Sequence, residues 1–260
     1  MKRVVSVSLG SARRDHKVQT EIAGQEFLIE RIGTDGDKRK AIELIKSLDG
    51  QVDAFGLGGT DLYIYAGNRR YTFRESRKIA AAARITPLVD GSGLKNTLER
   101  RVVKFLAEKQ GIRFADKQVL VVCAVDRFGL AESLTAAGSK TIFGDLMFGL
   151  GLPLPIRTLG SLDRLAKIIA PVVTQLPVSM FYPTGSRQEK GKTRFGRYFQ
   201  NADIIAGDFH FIRRYMPAEL AGKIIITNTV TKEDEALLQT SGVELLVTTT
   251  PDMGGRSFGT

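Results

Sequence analysis

The segment TPLVDGSGLKNTLERR, residues 86–101, has the residue types and spacing that most favour a chemical site. Its pattern predicts a strand that ends at Asp90, a Gly-Ser-Gly turn and a helix that begins near Leu94. The first turn of a helix has free N–H groups and a partial positive charge, so a lysine such as Lys95 is unfavourable there by itself. An anion, or the carboxylate of Asp90, beside Lys95 would explain a lysine at this unfavourable position. The segment predicts a functional site, with a capped structural turn as the alternative.

A second candidate is VVCAVDRFGLAESLTAAG, residues 121–138, the first strand-to-helix turn of the C-terminal half. A dinucleotide-binding turn has the pattern G-x-G-x-x-G there, whereas the aligned residues are Ala124, Asp126 and Gly129. Only the glycine that allows close helix packing is kept, and Asp126 opposes a pyrophosphate. Asp145 ends the next strand, where an acidic residue would bind an adenosine ribose. A nucleotide crevice and a purely structural turn are both open.

Further polar side chains follow predicted strands. The segment GDFHFIRRYMP starts a helix just after a strand, which places His210 at a ligand-binding edge of the sheet. There His210 acts as an acid or a base, binds an anion, or forms a structural hydrogen bond. The tail TTTPDMGGRSFGT brings threonine hydroxyls to the same edge, and Arg256 is suited to binding a carboxylate or phosphate. Asp35 and Asp61 lie in glycine-rich turns and either contact a ligand or form plain Asx turns.

The segment YPTGSRQEKGKT, residues 182–193, resembles the phosphate-binding loop G-x-x-x-x-G-K-[ST]. Five residues separate Gly185 from Gly191, where that loop requires four so that successive N–H groups surround a phosphate. We predict a mobile basic loop.

Composition excludes several classes of site. One cysteine and two histidines rule out a disulfide framework, a cysteine-based zinc site and a multi-histidine metal site, so no metal is expected. A signal peptide and an apolar run of about 18 residues are both missing, so we expect a soluble cytoplasmic protein without a membrane partner. The formal charge of +10 attracts anions. Nucleic acid is an unlikely partner, because no helix-turn-helix, RNA-binding aromatic motif or zinc module is visible.

The elements that must position these residues divide into two parts. Residues 1–114 have a mixed α/β pattern, and from about residue 116 strands alternate with helices. This alternation predicts a doubly wound, mostly parallel, Rossmann-like sheet in residues 115–260. The chain stops after a strand and a glycine-rich loop. We therefore expect that a closing segment is missing or that the tail packs against a partner, as in a homo-oligomer.

The motifs MKRVVSVSLGS, VDGSGLKNTLERR, GDFHFIRRYMP, TNTVTKED and TTTPDMGGRSFGT together resemble a bacterial family labelled quinate 5-dehydrogenase, distantly similar to shikimate and quinate dehydrogenases. The resemblance implies a substrate domain followed by a dinucleotide-binding domain. It implies an oxidoreductase that uses NAD or NADP on a small hydroxylated carboxylate. Its catalytic Lys–Asp pair corresponds here to Lys95, as general base or proton relay with a lowered pKa, and to Asp90 or Asp35.

The same resemblance implies binding roles. The cofactor-binding residues would be Asp126, Arg127, Gly129, Asp145 and Thr249, with Arg127 suited to the 2′-phosphate of NADP. The residues that bind the small anionic substrate would be Ser92, Asn96, Thr97, His210 and Arg256. A non-catalytic sensor for an anionic metabolite, using the same crevice, is the alternative from a different class, and a nucleic-acid-binding protein is a weaker one.

Overall fold

Two five-stranded sheets dominate the computed structural model, which describes residues 1–66, 69–177 and 195–253. The strands are β1 (Lys2–Ser8), β2 (His16–Ile22), β3 (Gln25–Gly33), β4 (Ala54–Gly58), β5 (Tyr63–Ala66), β6 (Arg69–Thr72), β7 (Leu88–Asp90), β8 (Gln118–Val121), β9 (Lys140–Phe143), β10 (Ile204–Ala206), β11 (Ile224–Thr227) and β12 (Leu245–Thr248). The α-helices are α1 (Lys38–Leu48), α2 (Arg74–Ala80), α3 (Ser92–Lys109), α4 (Phe128–Ala136), α5 (Leu159–Val173), α6 (Gly196–Asn201), α7 (Phe209–Tyr215) and α8 (Lys232–Thr240). A 3-10 turn at Ala12–Arg14 and a π-helical turn at Asp145–Gly149 complete the described elements.

The first sheet has the strand order β2-β3-β1-β4-β7, and only β2 is antiparallel to its neighbour. Strands β2 and β3 form a hairpin that turns at Ala23 and Gly24, whose φ angles of 53° and 78° suit a two-residue hairpin loop. Val5 and Val7 of β1 are fully buried against Ile45 of α1, as the alternating pattern of β1 predicts.

The second sheet, in the order β12-β11-β10-β8-β9, is entirely parallel, which confirms the predicted α/β class and the parallel Rossmann-like arrangement. Val119 and Val121 of β8 pack in one core and Leu120 and Val122 in another, because successive side chains of a strand point to opposite faces. Strand order reverses between β8 and β10, the point at which open α/β sheets bind ligands.

Helix α3 connects the two sheets. Its buried residues Val103 and Leu106 belong to the core of the second sheet, and the helix packs against α4. The domain division at 114/115 and the homo-oligomer stay predictions. Among the described residues, no helix has the length and apolar character needed to cross a membrane, and no group of three histidine, cysteine or acidic side chains is placed to hold a metal ion.

Candidate active site between the two sheets

Lys95 lies where the carboxyl ends of the two sheets face each other. Its Nζ atom is 2.6 Å from Asp61 Oδ1, and 2.8 and 2.7 Å from Asp126 Oδ1 and Oδ2. Asp61 follows β4 in the first sheet and Asp126 follows β8 in the second, so a single ammonium group joins both. The side chain of Lys95 is 16% exposed and those of the two aspartates 9% each. The three groups therefore form a nearly buried charge cluster.

The electrostatics of this cluster reverse one expectation. Burial lowers the pKa of Lys95, but the charges of Asp126 and Asp61 outweigh burial and raise that pKa above its ordinary value. The predicted lowered pKa of Lys95 is therefore wrong, because two carboxylates surround the ammonium group. Burial and the charge of Asp61 raise the pKa of Asp126, while Lys95 opposes that rise. A carboxyl with a raised pKa next to a permanent cation is suited to proton transfer.

Asp90 does not pair with Lys95 as expected. Asp90 Oδ2 accepts hydrogen bonds from the Leu62 N–H at 2.6 Å and from Ser92 Oγ at 2.6 Å. These bonds hold the start of α3 and the loop that follows β4, and Leu62 is the residue next to Asp61. Asp90 thus positions the aspartate that does contact Lys95. Ser92 is buried, and its Oγ also lies 3.2 Å from the Tyr63 carbonyl oxygen.

Several other predicted residues lie elsewhere. Asp35 is exposed at a φ of 52°, and its carboxylate accepts the Ala12 N–H at 2.8 Å, so it shapes a turn after β3 and is no partner of Lys95 within the described chain. Thr97 is exposed and donates its hydroxyl to the Gly93 carbonyl, one helical turn back. The Asn96 side chain, Arg256 and the loop at 182–193 lie outside the described residues.

Arg127 is buried at the point where the second sheet reverses its strand order. Its guanidinium forms an ion pair with Glu99 of α3, and its Nη2 lies 3.1 Å from Asp208, which follows β10. A side chain that is 2% exposed and paired with two carboxylates is not presented to a ligand in this structure, so its role toward a 2′-phosphate stays a prediction. Burial raises the pKa of Asp208, but His210, Arg127 and Lys95 outweigh it, and the pKa falls below its ordinary value.

His210 joins the two halves of the chain. Arg14, from the loop after β1, places its Nη1 atom 2.9 Å from His210 Nε2 and 3.2 Å from Nδ1. Arginine only donates, so the ring accepts and is neutral. Burial and the charge of Arg14 lower the pKa of His210 to about 4. Arg14 also reaches Asp234 at 3.3 Å. The contact between His210 and Arg14 therefore links the two sheets, and the predicted role of His210 in substrate binding stays a prediction.

The turn after β8 is where the resemblance implies a dinucleotide. The backbone N–H groups of Ala124 and Val125 donate to Asp145 Oδ1 at 3.0 and 2.8 Å. These are backbone donors that an incoming pyrophosphate would need at the start of a helix. Asp126 in the same turn faces Lys95. The residues as arranged do not fit a dinucleotide at this turn, because the protein's own carboxylate takes the place of the anion.

The two remaining cofactor candidates have structural contacts. A Cβ atom on Gly129 would lie 3.0 Å from the Arg100 side chain, so this glycine allows α4 to approach α3 closely. The Thr249 N–H donates to the Thr227 carbonyl at 2.8 Å, which extends the pairing of β12 with β11 by one residue.

Two cavities open beside the cluster. The smaller, of about 270 Å³, has Lys95 and Asp126 at its base and the rings of Tyr63, Tyr65 and Phe128 on its walls. The larger, of about 730 Å³ including its open mouth, lies on the other side of Asp126, against α5 and the π-helical turn.

Sequence reasoning missed the roles of Asp61, Glu99 and Asp208. Asp61 follows β4 and Asp208 follows β10, and each of these strands lies next to the place where the strand order of its sheet reverses. An acidic residue directly after each such strand is the signal that could have grouped them with Asp126. Glu99 carries no comparable signal, because it lies within a helix.

The sequence of residues 93–260 matches the family model described as "Domain of unknown function (DUF8754)", and residues 3–90 match the model described as "Domain of unknown function (DUF8753)". A comparison with curated proteins finds no match.

Similar solved structures include three enzymes. The NAD-dependent malic enzyme of Thermotoga maritima is 13% identical with a TM-score of 0.36, over 96% of this chain and 66% of that one. The L-tryptophan dehydrogenase of Nostoc punctiforme is 11% identical with a TM-score of 0.34, over 94% and 69%. The cofactor (NAD⁺)-bound 3-phosphoglycerate dehydrogenase of Entamoeba histolytica is 13% identical with a TM-score of 0.33, over 95% and 80%. These likenesses are remote, and none assigns a function to this chain.

Proposed function

We propose that this chain, which belongs to the DUF8754 family, is an enzyme that moves a proton at an oxygen atom of a small hydroxylated substrate. The observation that carries the proposal is the ammonium group of Lys95, held between Asp61 and Asp126 at the base of a cavity between the two sheets. The resemblance to quinate 5-dehydrogenases favours oxidation of a hydroxylated carboxylate, such as quinate or shikimate, as the reaction.

The roles follow from the charges. Lys95 stays an ammonium ion, and when one of its two contacts with Asp126 is given up, the freed N–H donates to the substrate oxygen and stabilises negative charge that develops there. Asp126 has a raised pKa and a position next to Lys95, so it accepts the proton that the hydroxyl loses. Asp61 keeps Lys95 in place, and its charge raises the pKa of Asp126. Asp90 supports Asp61 through the adjacent N–H of Leu62.

A substrate carboxylate needs a cation other than Lys95, whose charge is already matched by two aspartates. Arg70 of β6 is exposed, and its guanidinium carbon lies 4.9 Å from the centre of the Tyr63 ring on the cavity wall. Arg70 is therefore placed to hold a carboxylate at the rim while a hydroxyl reaches Lys95.

The nicotinamide cofactor belongs to the part of the proposal that rests on the resemblance. Its binding at the turn after β8 would require Asp145 to leave the N–H groups of Ala124 and Val125. Calorimetric titration with NAD⁺, NADH, NADP⁺ and NADPH tests this part. If none of the four binds, oxidation by a dinucleotide is excluded and the acid–base role of Lys95 is still open to test.

Turnover and binding of quinate and shikimate test the acid–base role. Lys95→Met should abolish turnover while Arg70→Met should raise KM with a smaller effect on kcat. Lys167→Met is the matched control, because Lys167 also pairs with an aspartate but is 54% exposed on α5. Full turnover by Lys95→Met would refute the proposal. Saturable binding without turnover in the unaltered protein would instead favour the ligand sensor.

A further inference from the structure

The larger cavity has a lining of unusual chemistry. Ten of its lining residues are apolar side chains or glycine, contributed mainly by the hairpin β5–β6, the π-helical turn and α5. The other three are Cys123, Asp126 and Asp145, and no lysine or arginine is among the described residues that line it. Leu150 at its edge is 51% exposed, so apolar surface continues to the mouth. The cavity is thus almost entirely apolar, and Asp145 is its one carboxylate without an ion pair among the described residues.

The two carboxylates of the cavity differ in how far they are satisfied. Asp126 is paired with Lys95 at 2.7 Å. Asp145 uses Oδ1 to accept the Ala124 and Val125 N–H groups, whereas its Oδ2 is buried and has no hydrogen-bond partner among the described residues. A buried carboxylate oxygen without a donor is costly, and a ligand donor that reaches it regains that free energy.

We propose that this cavity binds an organic amine: a ligand with an apolar, ring-sized body among Ile64, Leu165 and Ile169 and an ammonium group that pairs with the carboxylate of Asp145. The apolar body buries the wall of the cavity, and the ammonium group supplies both the missing donor and the missing positive charge. A carboxylate or phosphate would meet two carboxylates and no cation in the described lining, so anions are disfavoured.

The burial of Asp145 agrees with this proposal. Burial raises its pKa to about 6, against the opposing effect of the Val125 and Ala124 N–H groups. An ionised carboxylate in that position at neutral pH lacks a compensating charge, which a bound ammonium group would provide.

The amine site shares Asp126 with the proposed acid–base cluster, but its test does not depend on turnover. It is tested with 2-phenylethylamine, 2-phenylethanol and phenylacetate, three probes that share one apolar body and differ in charge. The chain contains no tryptophan, so Ile169→Trp places a single fluorescent reporter on the cavity wall. Calorimetric titration of the unaltered protein measures the affinity for each probe. Fluorescence titration of Ile169→Trp shows whether the probe binds in this cavity.

The expected result is binding of the amine at least about tenfold tighter than the alcohol, with no measurable binding of phenylacetate. Asp145→Asn should reduce the preference for the amine to less than about threefold, while Asp163→Asn, on the outer part of α5, should leave it unchanged. The proposal is overturned if the amine does not bind at millimolar concentrations, if the alcohol, phenylacetate or adenosine binds as tightly, or if Asp145→Asn retains the preference. Loss of turnover in Lys95→Met bears only on the acid–base reaction, so the two proposals fail separately.

Discussion

Replacing Lys95 by methionine would show how much the stability of the fold depends on the one cation of the buried cluster. The Nζ atom lies 2.6 Å from Asp61 and 2.7 Å from Asp126, with all three side chains nearly buried. Removing one member of a buried ion pair typically costs about 3–5 kcal/mol, because the remaining charge is left without compensation. Here two neighbouring carboxylates would remain, so Lys95→Met should lower the free energy of unfolding by about that amount at pH 7.5.

The double variant Lys95→Met/Asp126→Asn separates this cause from a simple packing defect. Without the charge of Asp126, Asp61 no longer faces a like charge, and the double variant should regain more than half of the lost stability. Urea unfolding followed by circular dichroism gives the free energy of unfolding of the unaltered protein, the single variant and the double variant. The control Lys167→Met, at an exposed ion pair within α5, should change that free energy by only about 0.5 kcal/mol or less. A single variant within about 0.5 kcal/mol of the unaltered protein, or a double variant no more stable than the single one, would refute the reasoning.

Three further predictions concern groups around the cluster. The pKa of His210 is lowered to about 4 in the folded protein, so the free energy of unfolding should fall by up to about 3 kcal/mol as the pH falls from about 6.5 to 4. His210→Asn should remove that part of the loss, which urea unfolding at pH 7.5 and 4.5 measures. Asp145→Ala leaves two N–H groups without their acceptor and should cost about 1–3 kcal/mol, whereas Asp145→Asn, which keeps an oxygen acceptor, should cost less. Gly207 has a φ of 132°, and a Cβ atom there would lie 2.7 Å from Val122 Cγ2, so Gly207→Ala should lower the midpoint of thermal unfolding by several degrees, about 1 kcal/mol or more.

Each of these predictions has a clear contrary outcome. Equal acid sensitivity of His210→Asn and the unaltered protein would mean that the ring is not held neutral. A cost for Asp145→Asn that equals that of Asp145→Ala would mean that the turn does not depend on an accepted N–H. An unchanged unfolding midpoint for Gly207→Ala would mean that the end of β10 adjusts without strain.

The secondary structure was largely readable from the sequence, because it depends on contacts between near neighbours. The alternation in VVSVSL predicts the buried face of β1, and the strand–helix rhythm after residue 116 predicts a parallel sheet. The helix boundaries at α3 and α7 follow from turn and capping residues that lie within a few positions of each end.

The partners of the site residues were not readable in the same way. The sequence placed Lys95 at the start of a helix and suggested Asp90, five residues away, because only local neighbours can be judged without a fold. The structure pairs Lys95 with Asp61 and Asp126, which are 34 and 31 residues distant. Likewise, the position of Asp145 at the end of β9 was predicted, but the direction of its carboxylate toward the turn after β8 was not.

The α/β class, the order of strands and helices and the position of Lys95 at the start of a helix could thus be predicted from the residues alone. The folded arrangement showed that Lys95 is held by two carboxylates, that Arg127 pairs with Glu99 and Asp208, and that Asp145 accepts the N–H groups of the turn after β8. The physical reason is that helix and strand formation depend on periodicity along the chain. Charge pairing and pKa instead depend on which elements, far apart in the chain, meet at the same edge of a sheet.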